Sequence, residues 1–283
     1  MNRHLPALGL GIGWRPELAL AIDRHPGLGF VEVIAENLDA HGSLPAPLER
    51  LRQRGVVVVP HGISLSLGGA ESPDRQRLAA LGRLAARLGA PLVSEHIAFV
   101  RAGGIEAGHL LPLPRTWSAL EVLVANIRAA QEALPVPLAL ENVATLFEWP
   151  GGEMDEATFL TEVLERTDTL LLLDLANLYG NAHNHGGDPV AFLDRLPLER
   201  LAYVHVAGGV ERQGLYHDTH AHPVTPAVLN LLAELCARAS VPGVLLERDD
   251  RFPPDAELTA ELGAMAEAVA RGNARREVSH AAG

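Results

Sequence analysis

The chain has 283 residues, 48 % of them hydrophobic, a formal net charge of −12 and a single cysteine, Cys236. All 23 basic residues are arginine, which excludes Schiff-base lysine chemistry, a pyridoxal-phosphate lysine and the lysine of a phosphate-binding P-loop. The acidic balance argues against nucleic acid as a main partner, and one cysteine builds neither a disulfide framework nor a cysteine-based zinc or iron–sulfur site.

No charged-then-apolar signal pattern opens the chain, and no apolar run approaches the ~18 residues of a membrane span. A cytoplasmic protein without a membrane partner is therefore expected. Short apolar runs alternate with longer helical patterns, the signature of βα units. Eight runs qualify as strands: Leu8–Trp14, Phe30–Ile34, Val56–Val59, Pro91–Val93, Pro137–Leu140, Leu170–Leu173, Leu201–Val204 and Val241–Leu246. Between them, Ser72–Leu88 repeats Leu78, Leu81, Ala85 and Leu88 at helical spacing. Ser72-Pro73-Asp74 supplies its cap, first-turn proline and early acid, and Gly89 ends it. Thr116–Leu134, Asp155–Arg166, Asp188–Leu196, Thr225–Ala239 and Asp255–Arg271 read similarly.

Eight strands with interleaved helices predict an α/β fold, a (β/α)8 TIM-type barrel forming a single domain over residues 1–271. A doubly wound open sheet is the rival. Gly9-Leu10-Gly11-Ile12-Gly13-Trp14 lacks the third glycine of a dinucleotide loop at its proper spacing, so no nucleotide cofactor site is expected. Residues 272–283 lack periodicity and are expected to form a flexible tail.

In such barrels chemistry sits at the C-terminal ends of the strands, and here those ends carry metal-competent residues. They are Glu36-Asn37, His61, Glu95-His96, Glu141-Asn142, Asp174 with Asn177, His205 and Glu247. His183 and His185 are expected in the loop after the sixth strand. The stretch from His205 to His222 follows the seventh with His217, Asp218, His220 and His222 around a glycine break. Imidazole and carboxylate are ligands of borderline and hard metals. Buried together without a cation, the carboxylates would repel one another and raise their own pKa values. A multinuclear metal site removes that problem.

Single residues have blander readings too. Glu36 and Asn37 can cap a helix or orient a ligand from behind, and Glu95 points to the opposite face from His96 if the strand persists. His183 competes with His185 and Asn181 for a ligand role. His25, His41, His109 and His280 sit in turn-like or tail contexts and read as solvated. Cys236 shares an apolar helix face with Leu229 and Leu232 and reads as core. Ser64 and Ser94 lie near histidines without a nucleophile elbow, so a serine hydrolase is not expected.

Several motifs together resemble a known family. They are Gly9-x-Gly-x-Gly13-Trp14-Arg15, His61-Gly62-Ile63-Ser64-Leu65-Ser66, Ser94-Glu95-His96, Glu141-Asn142 and Asp174-Leu175-Ala176-Asn177-Leu178-Tyr179 with Asn181 to Gly186. To these add His205-Val206-Ala207-Gly208, His217-Asp218-Thr219-His220 and Glu247-Arg248-Asp249. In this order they resemble the multinuclear non-heme iron-dependent oxidative enzymes, the family of MbnB and TglH.

The resemblance implies a TIM-type barrel holding two or three irons in mixed Fe(II)/Fe(III) states. It implies an oxygenase or oxidase that uses dioxygen to modify cysteine residues of a ribosomally made precursor peptide, commonly with a small peptide-recognition partner protein. His61, His96, Glu141, Asp174, His205 and Glu247 would ligate the central irons, with Glu141 a candidate bridge. Asn177, His183, Asp218 and His220 would complete the coordination, with His217 and His222 flanking them. His96, Glu141 and Asp174 would carry the catalysis. Two rivals from other classes stand beside this. One is a metal-dependent hydrolase or isomerase of the same barrel type, such as a trinuclear-zinc endonuclease or a sugar isomerase. The other is a non-enzymatic metal-binding protein.

Overall fold

Each of the eight apolar runs forms a strand, and the eight close into a barrel. The computed structural model describes residues 6–282, except for the side chains of His280 and Ala282. The strands in chain order are β1 (Gly9–Gly13), β2 (Phe30–Ile34), β3 (Val57–Gly62), β4 (Val93–His96), β5 (Phe99–Ala102), β6 (Ile105–Leu111), β7 (Leu138–Glu141), β8 (Leu170–Asp174), β9 (Leu201–Val206), β10 (Gly208–Arg212), β11 (Leu215–His222) and β12 (Gly243–Leu246). The barrel runs β1-β12-β9-β8-β7-β4-β3-β2 and returns to β1, so the open-sheet alternative is excluded. Every barrel pairing is parallel.

The helices are α1 (Ala19–Arg24), α2 (Ala46–Gln53), α3 (Arg75–Leu88), α4 (Trp117–Ala133), α5 (Glu156–Thr167), α6 (Leu175–His185), α7 (Pro189–Leu193), α8 (Pro226–Arg238) and α9 (Asp255–Ala282). Six start on a side chain that accepts a backbone N–H: Asp74, Thr116, Asp155, Asp174, Asp188 and Thr225. Such a cap contributes about 1 kcal/mol. For α3 the capping residue is Asp74 rather than Ser72, because its carboxylate accepts from Gln76 and Arg77 N–H. Gly89 ends α3 in the left-handed conformation at φ 63°. Among the described residues no helix is long and apolar enough to cross a membrane.

The period-two alternation of the strands sorts the core into two layers. Val31, Val33, Val58, Val93, Leu140, Leu173, Val204, Val206, Val244 and Leu246 face outward and pack under the helices. Phe30, Val59, Leu92, Ala139, Leu172, Tyr203 and Leu245 face inward and form a separate apolar cluster, the floor of the barrel.

Three regions differ from the sequence expectation. The segment after β8 is helix α6, not a loop, because the Asp174 side chain caps it. Two hairpins, β5–β6 and β10–β11, follow β4 and β9, each with a register break that hides it from alternation. The third is the tail: α9 continues past Arg271 to Ala282. Gly272 lies where α9 meets α8, and a Cβ there would collide with the Ala233 carbonyl and the Cys236 side chain. Arg275 pairs with Glu234, and Arg276 donates to the carbonyls of Cys236 and Ala239.

Gly272→Ala therefore sets helix propensity, a gain of about 1 kcal/mol, against overpacking, a cost of about 1–3 kcal/mol. Urea unfolding should show net destabilisation. A neutral or stabilised variant would refute the close approach of α8 and α9.

Candidate metal centre

The same alternation that builds the barrel floor delivers the site. Two residues beyond each inward apolar side chain, one turn of the pleat higher, stands a polar one. Phe30 is followed by Glu32, Val59 by His61, Ala139 by Glu141, Leu172 by Asp174, Tyr203 by His205 and Leu245 by Glu247. Leu92 leads to Ser94 and then His96. All of these polar residues are buried.

Glu141 lies at the centre. One oxygen, Oε2, is 3.4 Å from His61 Nε2 and 3.3 Å from His96 Nε2. The other, Oε1, is 3.2 Å from His205 Nδ1, which is also 3.1 Å from Glu247 Oε2. One carboxylate thus faces two sets of imidazole nitrogens, the geometry of a bridging ligand. Four groups bring ligand atoms within 4.8 Å of one another: His61, His96 and Glu141; Glu141, Asp174, His205 and Glu247; Asp174, Asp218 and His220; and His220, Glu247 and Asp249. They share members, so they form one continuous cluster.

The outer part of the cluster stands on the β10–β11 hairpin. Gly208 pairs with His222 and Val210 with His217, so two residues on β10 span five on β11. The surplus bulges out and carries Asp218 and His220 over the barrel mouth. His220 has φ +50°, a conformation that costs a non-glycine residue about 1–3 kcal/mol and clusters at functional sites. Its ring lies 2.5 Å from Asp218 Oδ2 and 3.0 Å from Asp249 Oδ2, and Arg15 holds Asp249 from behind at 2.5 Å. The β5–β6 hairpin is built alike and brings Gly108 and His109 to the opposite rim. Between them is a cavity of about 470 Å³, lined by His61, His96, Glu141, Asn177, Asp218 and Glu247 among others.

Electrostatics and hydrogen bonding both point to a cation. Among protein groups alone, burial and then the charges of Asp218 and Glu141 push the Asp174 carboxyl well above its usual range. Burial works against charge on His205, yet Glu32, Glu247 and Glu141 hold its pKa well above 6.5. For His96 burial again opposes, and Glu141 and Glu95 lift it to about 9. Burial raises Glu247, but His205 and His220 outweigh it and hold the carboxyl well below the ordinary value. Among the described residues six buried side-chain oxygens have no hydrogen-bond partner: two on Glu261, which faces Arg248, and four more, Glu141 Oε2, Asp174 Oδ2, Asn177 Oδ1 and Asp218 Oδ1. Each such orphan costs about 1–3 kcal/mol, more if charged, and the last four belong to this one cluster. The donor set, imidazole plus carboxylate, fits a transition metal.

Of the residues expected from sequence, His61, His96, Glu141, Asp174, His205, Asp218, His220 and Glu247 come together. Asn177 joins them at the cavity wall with its orphaned Oδ1. His183 does not. It is exposed on α6, with its ring against Tyr179 and Tyr216, because the helix turns it away from the mouth. His185 bonds the Thr145 hydroxyl at 2.7 Å and Asn181 accepts from Thr145 N–H. His222 bonds Thr219. Glu36 receives Ile63 N–H and the Ser64 hydroxyl outside the cluster. Glu95 is structural as expected, accepting from Leu65 and His96 N–H. His41 and His109 are exposed and His25 half-buried; the His280 side chain lies outside the described residues. Cys236 is buried, and burial pushes its thiol up to about 11.

Sequence reasoning misses Glu32, Tyr203, Arg15 and Asp249. Glu32 was findable: it is the inward residue two after Phe30. Arg15 and Asp249 stand inside motifs quoted for the resemblance, but those motifs assign them no role.

Comparison with known proteins agrees with this architecture. Endonuclease IV from Thermus thermophilus superposes with a TM-score of 0.61 at 23 % identity, over 92 % of this chain and 99 % of that one. D-psicose 3-epimerase from Clostridium cellulolyticum, solved with D-tagatose, gives 0.62 at 13 % identity, over 92 % and 99 %. At these identities the likeness shows the fold alone. A UPF0276 protein of Streptomyces avermitilis is 58 % identical over 96 % of this chain, which spans only 57 % of that protein's length. A UPF0276 protein of Bordetella parapertussis is 39 % identical, with 94 % of this chain and 96 % of that one covered. The family model described as RiPP precursor modification enzyme MbnB/TglH/ChrH matches residues 9–270. With nearly the whole barrel inside that match, the chain belongs to the MbnB/TglH/ChrH family of RiPP precursor modification enzymes.

Proposed function

We propose that this protein is a cytoplasmic, multinuclear non-heme iron enzyme that uses dioxygen to modify a cysteine residue of a ribosomally synthesised precursor peptide. The observation that carries the reading is Glu141, whose two oxygens face separate imidazole sets inside a buried cluster with four orphaned oxygens. In this reading His61, His96 and Glu141 would hold one iron, and Glu141, Asp174, His205 and Glu247 would hold a second. Asp174, Asn177, Asp218 and His220 complete an outer position. Bound iron supplies the redox chemistry that no side chain here provides, and a position that accepts a thiolate.

The chain's own contribution is to bind, orient and exclude. A cavity of about 470 Å³ admits a side chain with its neighbouring backbone, not a folded domain. Its walls come from several different strand ends and two hairpins, so a peptide entering from the mouth meets fixed groups on every side. Exposed Ile63, Leu146, Phe147 and Trp149 lie on segments that leave the C-terminal ends of β3 and β7. They offer an apolar surface to the peptide and to a small recognition partner.

Three outcomes test the reading. Elemental mass spectrometry of protein purified without chelator should find two or three irons per chain. Zinc, with iron absent even after anaerobic reconstitution, would move the chemistry to a hydrolase. His96→Ala and Glu141→Gln should each lower dioxygen consumption with a cysteine-containing peptide by more than about 100-fold while the fold is kept, since even groups behind a ligand cost 10–100-fold. Retained activity would sink the ligand assignment. Finally, a metal must displace the proton that His96 holds up to pH about 9. The raised pKa means protons compete with the metal at neutral pH, so titrations should show affinity still rising with pH between about 7 and 9. An affinity flat across that window would contradict His96 as a ligand.

A further inference from the structure

Below the metal centre, five buried side chains form one continuous hydrogen-bonded chain. His61 Nδ1 lies 2.8 Å from Ser94 Oγ, and Ser94 Oγ lies 2.7 Å from the Tyr203 hydroxyl. That hydroxyl bonds Glu32 Oε2, and Glu32 Oε2 is 3.0 Å from His205 Nε2. All five residues are buried.

The chain has a direction. A carboxylate only accepts, whereas a hydroxyl both donates and accepts. With Glu32 as the acceptor, Tyr203 donates to it, Ser94 donates to Tyr203, and His61 Nδ1–H donates to Ser94. From the other side His205 Nε2–H donates to the same carboxylate oxygen. The nitrogens left over are His61 Nε2, 3.4 Å from Glu141 Oε2, and His205 Nδ1, 3.2 Å from Glu141 Oε1. We infer that Glu32 is the positioning residue of the metal centre. Directly for His205, and through Tyr203 and Ser94 for His61, it fixes which ring nitrogen each histidine presents to a metal.

This rests on the cluster holding a metal, but not on iron, dioxygen or a cysteine substrate. The competing account is packing: Tyr203 meets Phe30 edge-on, with ring centroids 5.7 Å apart, and belongs to the barrel floor. The structure contains a control that separates the two accounts. His96 turns its Nδ1 to the Gly62 carbonyl at 3.2 Å, outside the chain.

The test uses the whole protein, labelled with ¹⁵N-histidine and loaded with zinc, read by two-bond ¹H–¹⁵N correlation spectra. Wild type should show His61 and His96 bound through Nε2, and His205 bound through Nδ1. Tyr203→Phe keeps the ring and should disturb His61 alone, with zinc affinity at its position falling about 10–100-fold. Glu32→Gln should disturb His61 and His205 together and spare His96. If Glu32→Gln does not fold, the Tyr203→Phe contrast between His61 and His205 still decides. Wild-type spectra in Tyr203→Phe, or His205 bound through Nε2, would overturn this inference and leave the proposed function standing. A protein that takes up no zinc would overturn the metal centre and this inference with it.

Discussion

Four carboxylates, those of Glu32, Glu141, Asp174 and Glu247, are held inside a closed barrel where water cannot screen them. Two unit charges about 4 Å apart repel by roughly 4 kcal/mol at an effective dielectric of 20. A few such pairs would match the whole stability of a domain, about 5–15 kcal/mol. The remaining polar groups answer this one constraint. His61, His96, His205 and His220 surround the acids, and Arg15 pairs with Glu247 and Asp249. The oxygens that still lack partners mark where side chains alone do not suffice.

Meeting that constraint requires every group to be held still, and the helix α6 shows how. Asn142 exchanges two hydrogen bonds with the Asp174 backbone, continuing the β7–β8 ladder by one side-chain step. Asp174 then commits one oxygen to the Asn177 N–H and leaves the other for the cluster. Asn184 both donates to and accepts from the Tyr216 backbone, two residues before Asp218. A single helix thereby fastens the centre of the site to its outer hairpin. A carboxylate that also caps a helix has little freedom to rotate.

Much of this was legible in the sequence because barrel interior and site obey one alternation. Val59 to His61, Ala139 to Glu141 and Leu245 to Glu247 are the same two-residue step, so locating the strands locates the candidate ligands. The step from Phe30 to Glu32 follows the rule, but Glu36-Asn37 at the end of that strand draws the eye, although the chain has by then left the barrel for a 3-10 turn. His183 fails for a different reason. Asn, Gly and His are poor helix formers, so Asn181 to Gly187 reads as loop, yet capping and tertiary hydrogen bonds carry the helix through His185. The hairpins were invisible because a bulge interrupts the period by which strands are recognised. Gly272 looks like a breaker in one dimension and is a point of helix contact in three.

The two bulged hairpins divide the site by what a change in them would disturb. The inner candidate ligands lie in strand register, where an inserted residue would turn every inward side chain outward. Asp218, His220, Gly108 and His109 lie instead on surplus backbone that no barrel strand pairs with. Insertions or substitutions there leave the barrel's hydrogen bonds untouched. On the β5–β6 side, which contributes none of the candidate ligands, the rim can therefore diverge while the candidate metal site stays constant, so the cavity entrance has an evolutionary route that does not pass through the fold.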